Sequence, residues 1–180
     1  MKTFQDLQEG VYDPNILKAF FLAGGPGSGK SYVVKRGTGG LGLKIVNSDD
    51  TFEKYIKDAG LSMKMPKSQE EPRDKLRDRA KAITKMKLDN YVAGRLGLII
   101  DGTGKEYDKI AKQATGLKQL GYDVHMIFVN TSLETALKRN AARDRTVPRS
   151  IATKSWKTVQ SNMGKFSQYF RQNFIVVDNN

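Results

Sequence analysis

Short uninterrupted apolar runs alternate with longer charged stretches along the chain. Within each run the apolar residues follow one another directly instead of alternating with polar ones. Strands of this kind are buried on both faces, which is typical of a parallel sheet covered by helices on both sides. The predicted strands span residues 19–23, 44–47, 96–100, 124–129 and 174–177.

The stretches between these runs carry helical patterns with recognisable ends. Thr131 or Ser132 is a predicted N-cap with Glu134 in the first turn, and Gly121 directly follows another helix. Strands alternating with helices predict a three-layer α/β fold with a five-stranded parallel sheet, and we expect residues 1–180 to form a single domain. The predicted helices span residues 31–36, 51–59, 69–92, 105–120, 132–143 and 148–170.

Between the first predicted strand and the first predicted helix lies the sequence GGPGSGKS (24–31), which matches G-x-x-x-x-G-K-[ST] in full. Glycines allow successive N–H groups to line one concavity, and the helix adds its positive end. Lys30 can then reach the β- and γ-phosphates of a nucleotide, while the Ser31 hydroxyl can ligate Mg²⁺. The motif predicts a P-loop that binds a nucleoside triphosphate, ATP or GTP, through Gly24, Gly25, Pro26, Gly27, Ser28, Gly29, Lys30 and Ser31.

Acidic residues follow two further predicted strands, at the sheet edge where ligands of open α/β sheets bind. Asp49 and Asp50 follow the second strand, where a carboxylate could accept the proton of an attacking hydroxyl or cap the next helix. We expect one of the two to cap and the other to act as base, with a preference for Asp50. Asp101 ends the third strand and could hold a Mg²⁺ water or a substrate hydroxyl, or form a plain turn.

From about residue 19 to residue 177 the chain resembles the zeta-toxin and polynucleotide-kinase group of small P-loop kinases. The resemblance is carried by GGPGSGKS, NSDDTF, LIIDGTG and LKQLGYDV. It implies a nucleoside-kinase-like fold and transfer of a phosphoryl group to a hydroxyl.

The two branches of this group imply different bases. Asp50, followed by Thr51 and Phe52, resembles the zeta-toxin base, whereas the first acid of the pair, Asp49, matches the base of phage polynucleotide kinases. In those kinases a substrate-binding arginine follows shortly, where this chain has Phe52 and Glu53. The sequence Asp101-Gly102-Thr103 is similar to a Glu-Gly-Thr of zeta toxins, which implies that Asp101 and Thr103 bind substrate.

The segment 138–150 contains four arginines and ends its helical pattern before Pro148. Arg139 and Arg143 are four residues apart and are expected on one helix face. Guanidinium groups can neutralise a transferring phosphoryl group, so the segment is interpreted as a mobile lid, with a solvated basic helix end as the alternative. We assign Arg139 to the nucleotide, Arg143 and Arg145 to catalysis, and Arg149 to substrate.

The charged segment 62–92 is interpreted as a helical insertion at the acceptor side. Its charges alternate in sign, and pairs such as Glu71–Lys75 have helical spacing. Leu76, Ala80 and Ile83 form an apolar seam that is expected to pack. No acceptor ligand could be chosen within this segment.

The composition of the chain limits which partners and which cellular location are expected. The 31 Lys and Arg residues against 19 Asp and Glu give a net charge of +12, which favours an anionic partner or serves solubility alone. The absence of cysteine excludes disulfides and thiolate chemistry. No apolar run is long enough to span a membrane and the N-terminus lacks a signal-peptide pattern, so we expect a cytoplasmic protein without a membrane partner.

These observations predict an Mg²⁺- and ATP- or GTP-dependent phosphotransferase. Its acceptor would be the hydroxyl of a nucleic-acid end, a nucleotide or a nucleotide sugar, and the basic charge and the sequence resemblances leave these open. The alternative is a non-catalytic P-loop module that binds nucleotide as a switch or assembly factor. The oligomeric state is not predicted.

Overall fold

The computed structural model describes residues 16–37, 41–64, 66–143 and 146–180. Its strands form a five-stranded sheet in the order β2-β3-β1-β4-β5, and every neighbouring pair runs parallel. The predicted strands are confirmed within two residues at each end. The strands are β1 Lys18–Ala23, β2 Lys44–Val46, β3 Leu98–Asp101, β4 Asp123–Asn130 and β5 Phe174–Asp178.

Six α-helices connect and follow these strands, and two helix ends confirm the predicted signals. The Ser132 hydroxyl accepts a hydrogen bond from the Thr135 amide, and Gly121 has a φ of +88° just after a helix. Short 3₁₀ turns precede the third helix and follow the sixth. The helices are α1 Lys30–Gly37, α2 Ser48–Asp58, α3 Glu70–Ala93, α4 Tyr107–Gln119, α5 Leu133–Ala141 and α6 Arg149–Phe170.

Two helix boundaries differ from the prediction and change the role of predicted site residues. The N-cap of α2 is Asn47, so the expectation that Asp49 or Asp50 caps this helix is wrong. Helix α5 ends at Ala141, so Arg143 lies beyond the helix and does not share a helix face with Arg139. The side chain of Asn140 accounts for this early end, because it bonds the backbone of Val147 beyond the helix.

Side chains of the sheet alternate between two apolar clusters, which gives the three predicted layers. On one face Phe21 and Phe128 pack with Phe166 of α6 and Leu117 of α4. On the other face Leu22 and Ile99 pack with Val34 of α1. Burial of both faces explains why the strands read as continuous apolar runs.

The third cluster joins α2 to α3 and is separate from the sheet. Phe52 and Ile56 of α2 are fully buried against Ala80 of α3, with Leu76 at the margin, which confirms the predicted seam at these two positions of α3. Near the end of α3, Leu88, Tyr91 and Val92 pack against the core of the sheet. The outer side of the helix carries local ion pairs such as Lys75–Glu71 at 2.8 Å. Neither α3 nor another helix of the described residues combines the length and apolar character that a membrane crossing requires.

Candidate nucleotide-binding and catalytic site

Three loops that carry predicted site residues meet at the carboxyl edge of the sheet. Leu22 of β1 is paired with Asp101 of β3, and Ile100 is paired with Val46, the last residue of β2. The Gly24 amide donates to the Thr103 carbonyl at 3.0 Å, which fastens the loop after β3 to the start of the P-loop. Because parallel strands end at the same edge, the local motifs of the sequence come together in space.

The glycines of the P-loop are required by its conformation and by its neighbours. Gly27 and Gly29 have φ values of +81° and +87°, in the left-handed region that favours glycine. A Cβ at Gly27 would collide with the Ala136 carbonyl of α5, and one at Gly29 would collide with the side-chain amide of Asn179. Larger residues at these two positions would therefore open the loop.

Residues far away in the sequence hold the outer side of this loop. The Ser28 carbonyl accepts hydrogen bonds from the Thr131 hydroxyl at 3.1 Å and from the Asn179 amide at 2.8 Å. The indole N–H of Trp156 donates to the Thr131 carbonyl at 2.8 Å, and a Cβ at Gly25 would lie 3.3 Å from Trp156. The sequence did not point to these three anchors, because nothing in their local pattern names the P-loop as their partner.

Lys30 and Ser31 begin α1, so their backbone N–H groups have no partner within the helix. The Lys30 amine donates to the Gly24 carbonyl at 2.7 Å, which curls the side chain back over the loop. Burial lowers the pKa of the Lys30 ammonium group; the Asp101 carboxylate opposes this, the Arg143 guanidinium adds to it, and the Asp49 carboxylate opposes it. Burial thus disfavours the charged form of Lys30, and the nearby acids offset only part of this effect.

Asn47 connects the two acidic positions of the site. Its Nδ2 donates to Asp101 Oδ2 at 2.9 Å, and its Oδ1 accepts from the Asp49 backbone amide at 2.7 Å. Burial raises the pKa of the Asp101 carboxyl group; Lys30 opposes this rise, while Asp49 and then Asp50 add to it. Asn47 was missed in the sequence, although an asparagine directly after a strand and before a helix is a recognised capping signal.

Asp49 and Asp50 occupy different environments in the first turn of α2. The Asp49 side chain is 49% exposed, and its carboxylate shifts the pKa values of both Lys30 and Asp101. Asp50 is exposed, and it raises the pKa of Asp101 less than Asp49 does. Of the two acids, Asp49 has the larger influence on the pKa values of Lys30 and Asp101.

Arg139, in the segment predicted to form a lid, lies beside the P-loop. Its Nη1 donates to the Asn179 carbonyl at 2.7 Å, and Asn179 in turn contacts Ser28 and Gly29. Beyond it, Asn140 is buried, and its side chain bonds the Val147 carbonyl and amide at 2.7 and 3.2 Å. The side chain of Asn140 therefore joins the end of α5 to the backbone of Val147.

The other lid arginines are spread over different surroundings. Arg143 is exposed. Its charge adds to the lowering of the Lys30 pKa and opposes the rise of the Asp101 pKa. Arg145 lies outside the described residues. Arg149 begins α6 and lines a shallow surface groove of about 570 Å³ together with Lys154 and Lys157.

The residues present fit a nucleoside triphosphate with Mg²⁺. The buried Ser28 hydroxyl has no hydrogen-bond partner among the described residues, so the loop contains a polar group in need of one. The described residues hold no cluster of three or more metal-ligating side chains. In P-loop proteins Mg²⁺ needs no such cluster, because one or two side chains bind it and phosphate oxygens and waters supply the remaining ligands. Ser31 and Asp101 are the candidate side chains here.

Comparison with known proteins agrees with this arrangement. The family model described as zeta toxin matches residues 6–180, whereas no curated protein matches the chain. Solved structures with the same fold include the PezAT chromosomal toxin-antitoxin system of Streptococcus pneumoniae, at 18% identity and a TM-score of 0.68 over 90% of this chain and 68% of that one. They also include the complex of AvrRxo1-ORF1 and -ORF2 with ATP, at 16% identity and a TM-score of 0.64 over 91% of this chain.

A third similar structure is the Pnkp1/Rnl/Hen1 RNA repair complex, at 20% identity and a TM-score of 0.65 over 84% of this chain. The chain spans 55% of the AvrRxo1 chain and 46% of the chain in the repair complex. The likeness to these structures shows a kinase-type P-loop fold, and the family match covers nearly the whole sequence. The chain belongs to the zeta toxin family.

Proposed function

We propose that the protein is a kinase that transfers the γ-phosphoryl group of ATP, or of GTP, to a hydroxyl group of a phosphate-bearing acceptor. The observation that carries this proposal is the electrostatic cluster at the sheet edge. There the Lys30 amine donates to the Gly24 carbonyl, Asn47 bonds both Asp101 and the Asp49 amide, and the Asp49 carboxylate acts on the pKa values of Lys30 and Asp101. A phosphate-binding cation and a candidate base within one cluster are what a phosphoryl transfer to a hydroxyl needs.

Asp49 is the proposed base. It would accept the proton of the acceptor hydroxyl as that oxygen bonds to the γ-phosphorus and the bond to the β–γ bridging oxygen breaks, releasing the nucleoside diphosphate. Its influence on both Lys30 and Asp101 supports this choice over Asp50. The sequence resemblance to zeta toxins favoured Asp50, so the two variants must be compared directly.

The remaining predicted residues would position the nucleotide and offset the negative charge of its phosphates. Lys30 would leave the Gly24 carbonyl for the β- and γ-phosphates, and Arg143 with Arg145 would offset charge on the transferring group. Arg139 would line the nucleotide side, next to Asn179. The Ser31 hydroxyl and Asp101, directly or through water, would hold Mg²⁺, which would offset the negative charge of the phosphates.

Two observations bear on the acceptor. The zeta-toxin resemblance of Asp101 and Thr103 supports a nucleotide sugar. The groove lined by Arg149, Lys154 and Lys157, together with the net charge of +12, supports a polynucleotide end. A polynucleotide acceptor would lose apparent affinity steeply as salt rises, whereas a mononucleotide or nucleotide sugar would lose little.

The test is transfer of label from γ-labelled ATP, with Mg²⁺, to 5′-hydroxyl DNA and RNA, nucleosides, nucleotides and UDP-sugars. We expect one acceptor class to be labelled, and Lys30→Ala to lower the rate by about 10²–10³-fold because a charge-stabilising donor is lost. Parallel reactions at two salt concentrations separate the acceptor classes, and competition with GTP gives the donor preference. Nucleotide binding without transfer to any acceptor would instead favour a non-catalytic binding module.

A further inference from the structure

Arg77 of α3 lies against the first turns of α2, beside the proposed base. Its Nη1 is 3.9 Å from Asp49 Oδ1, and its guanidinium carbon is 4.1 Å from the centre of the Phe52 ring. The side chain is 35% exposed. A cation therefore stands at the place where an acceptor hydroxyl would meet Asp49.

The position of Arg77 is set by the packing beneath it. Phe52 is fully buried in the cluster that joins α2 to α3, so the ring under the guanidinium group is held in place. Stacking on an aromatic face fixes the plane of an arginine and leaves the edges that carry its N–H groups available. The side chain is thus pre-organised by its ring contact, which reduces the entropy lost when it binds a ligand.

The ion pair with Asp49 is loose and does not exhaust the donors of Arg77. A distance of 3.9 Å satisfies an ion pair but is too long for a hydrogen bond, and a guanidinium group has five N–H donors. Three lysines of the same helix, Lys75, Lys81 and Lys85, pair with acids of α3 itself at 2.8–3.1 Å. Arg77 instead reaches across to α2, toward the site.

We propose that Arg77 binds a phosphate group of the acceptor and thereby places the acceptor hydroxyl beside Asp49. The inference rests on the proposed function and identifies a residue that binds the acceptor. A planar fork suits bidentate contact with phosphate oxygens. The phosphate could belong to a nucleotide, to the diphosphate of a nucleotide sugar or to a polynucleotide, and the kinase that lacks Arg77 would lose its preference for any of them over a phosphate-free acceptor.

The experiment measures KM for acceptor and for ATP in Arg77→Gln and Arg77→Lys. Each is assayed with the best phosphate-bearing acceptor and with the same acceptor lacking phosphate. We expect Arg77→Gln to raise the KM for the phosphate-bearing acceptor about 10–100-fold, the range of a charge-assisted hydrogen bond. The KM for ATP should stay unchanged. Because Arg77 also pairs with Asp49, a change in kcat should be the same for both acceptors, and the difference between their KM values reports phosphate binding. Arg77→Lys, which keeps the charge but not the fork, should fall between wild type and Arg77→Gln.

Arg79→Gln is the matched control. Arg79 lies on the same helix with its guanidinium carbon 4.9 Å from the centre of the Tyr55 ring, also on α2, and it should change either KM less than about twofold because it has no assigned role. Thermal unfolding of all variants checks that the α2–α3 packing survives. If Arg77→Gln weakens both acceptors equally, or if Arg79→Gln has the same effect, Arg77 acts through structure and the inference fails.

Failure of the proposed function can be separated from failure of this inference. If wild-type protein transfers phosphate to no acceptor, the kinase proposal fails. Calorimetric titration of nucleoside monophosphates then tests Arg77 alone. Weaker binding by Arg77→Gln than by Arg79→Gln supports the phosphate site without catalysis, and equal binding by all three proteins overturns it.

Discussion

The two ends of the site are held together in different ways. At the nucleotide end, the Ser28 carbonyl is bonded by residues 103 and 151 positions away, Thr131 and Asn179. At the proposed acceptor end, α2 and α3 meet in a small apolar cluster around Phe52, and α3 carries exposed ion pairs between residues three or four apart. Contacts between residues more than a hundred positions apart fix the first end, whereas contacts between two helices that are neighbours in the sequence build the second.

This difference corresponds to two functions of a P-loop kinase: binding of the nucleotide, which all such kinases share, and recognition of the acceptor, which differs between them. Binding of a triphosphate requires backbone amides, a lysine and glycines in one geometry, so few substitutions are tolerated in the P-loop. On the proposed function, side chains of α2 and α3 would recognise the acceptor, and a substitution such as one at Arg77 would change a contact without disturbing the sheet. Variants at the two ends should therefore separate nucleotide binding from acceptor use.

The largest separation is expected from the acid pair of α2. Asp49→Asn should lower the transfer rate by about 10²–10⁴-fold, the usual contribution of a general base, while nucleotide affinity stays near wild type. Asp50→Asn, its matched control one residue away, should lower the rate less than about tenfold because Asp50 is exposed and acts weakly on the cluster. Single-turnover rates and nucleotide titrations measure both. A larger loss in Asp50→Asn would move the base to Asp50.

A smaller effect, confined to the nucleotide end, is expected for Asn179→Ala. Loss of the bond to the Ser28 carbonyl should weaken nucleotide binding about 2–10-fold, the value of a typical hydrogen bond, and leave the acceptor KM unchanged. Asn173→Ala provides the comparison, since Asn173 bonds Asp123 and Val124 at the opposite edge of the sheet. Equal nucleotide affinities in the two variants would show that Asn179 does not support the loop.

The smallest effect concerns Asp101, at the border of the two ends. Because burial raises its folded-state pKa, the folded protein keeps this proton at pH values where the unfolded chain has lost it. The contribution of Asp101 to the free energy of unfolding is therefore complete below about pH 4 and is lost as pH rises through the raised pKa. Urea unfolding from pH 4 to 7 should show wild type losing stability relative to Asp101→Asn as pH rises, and the opposite trend would contradict the assignment.

Much of the fold could be predicted because its signals are local. The apolar runs located all five strands, and the glycine motif located the phosphate loop. The N-cap of α2 could not be chosen correctly, since Asn47, Ser48, Asp49 and Asp50 are all capping types in a row. Which of them caps depends on where β2 ends, at Val46, and this is decided by pairing with β3.

The anchors and the acceptor side escaped prediction for a related reason. Arg77 is one of many charges on a helix with alternating signs, and only the packing of α3 on α2 turns it toward Asp49. Thr131 and Asn179 end or follow strands without any pattern that names the P-loop as their neighbour. Such assignments need tertiary contacts, which local periodicity does not contain.

Trp156 gives the molecule a spectroscopic handle of its own. It is the single tryptophan of the chain, it lies against Gly25, and its indole N–H is bonded to the residue that anchors Ser28. With excitation at wavelengths where the seven tyrosines absorb little, emission therefore arises from one fluorophore beside the phosphate loop. Nucleotide titrations can be followed by that emission in unlabelled protein, including every variant that leaves Trp156 in place.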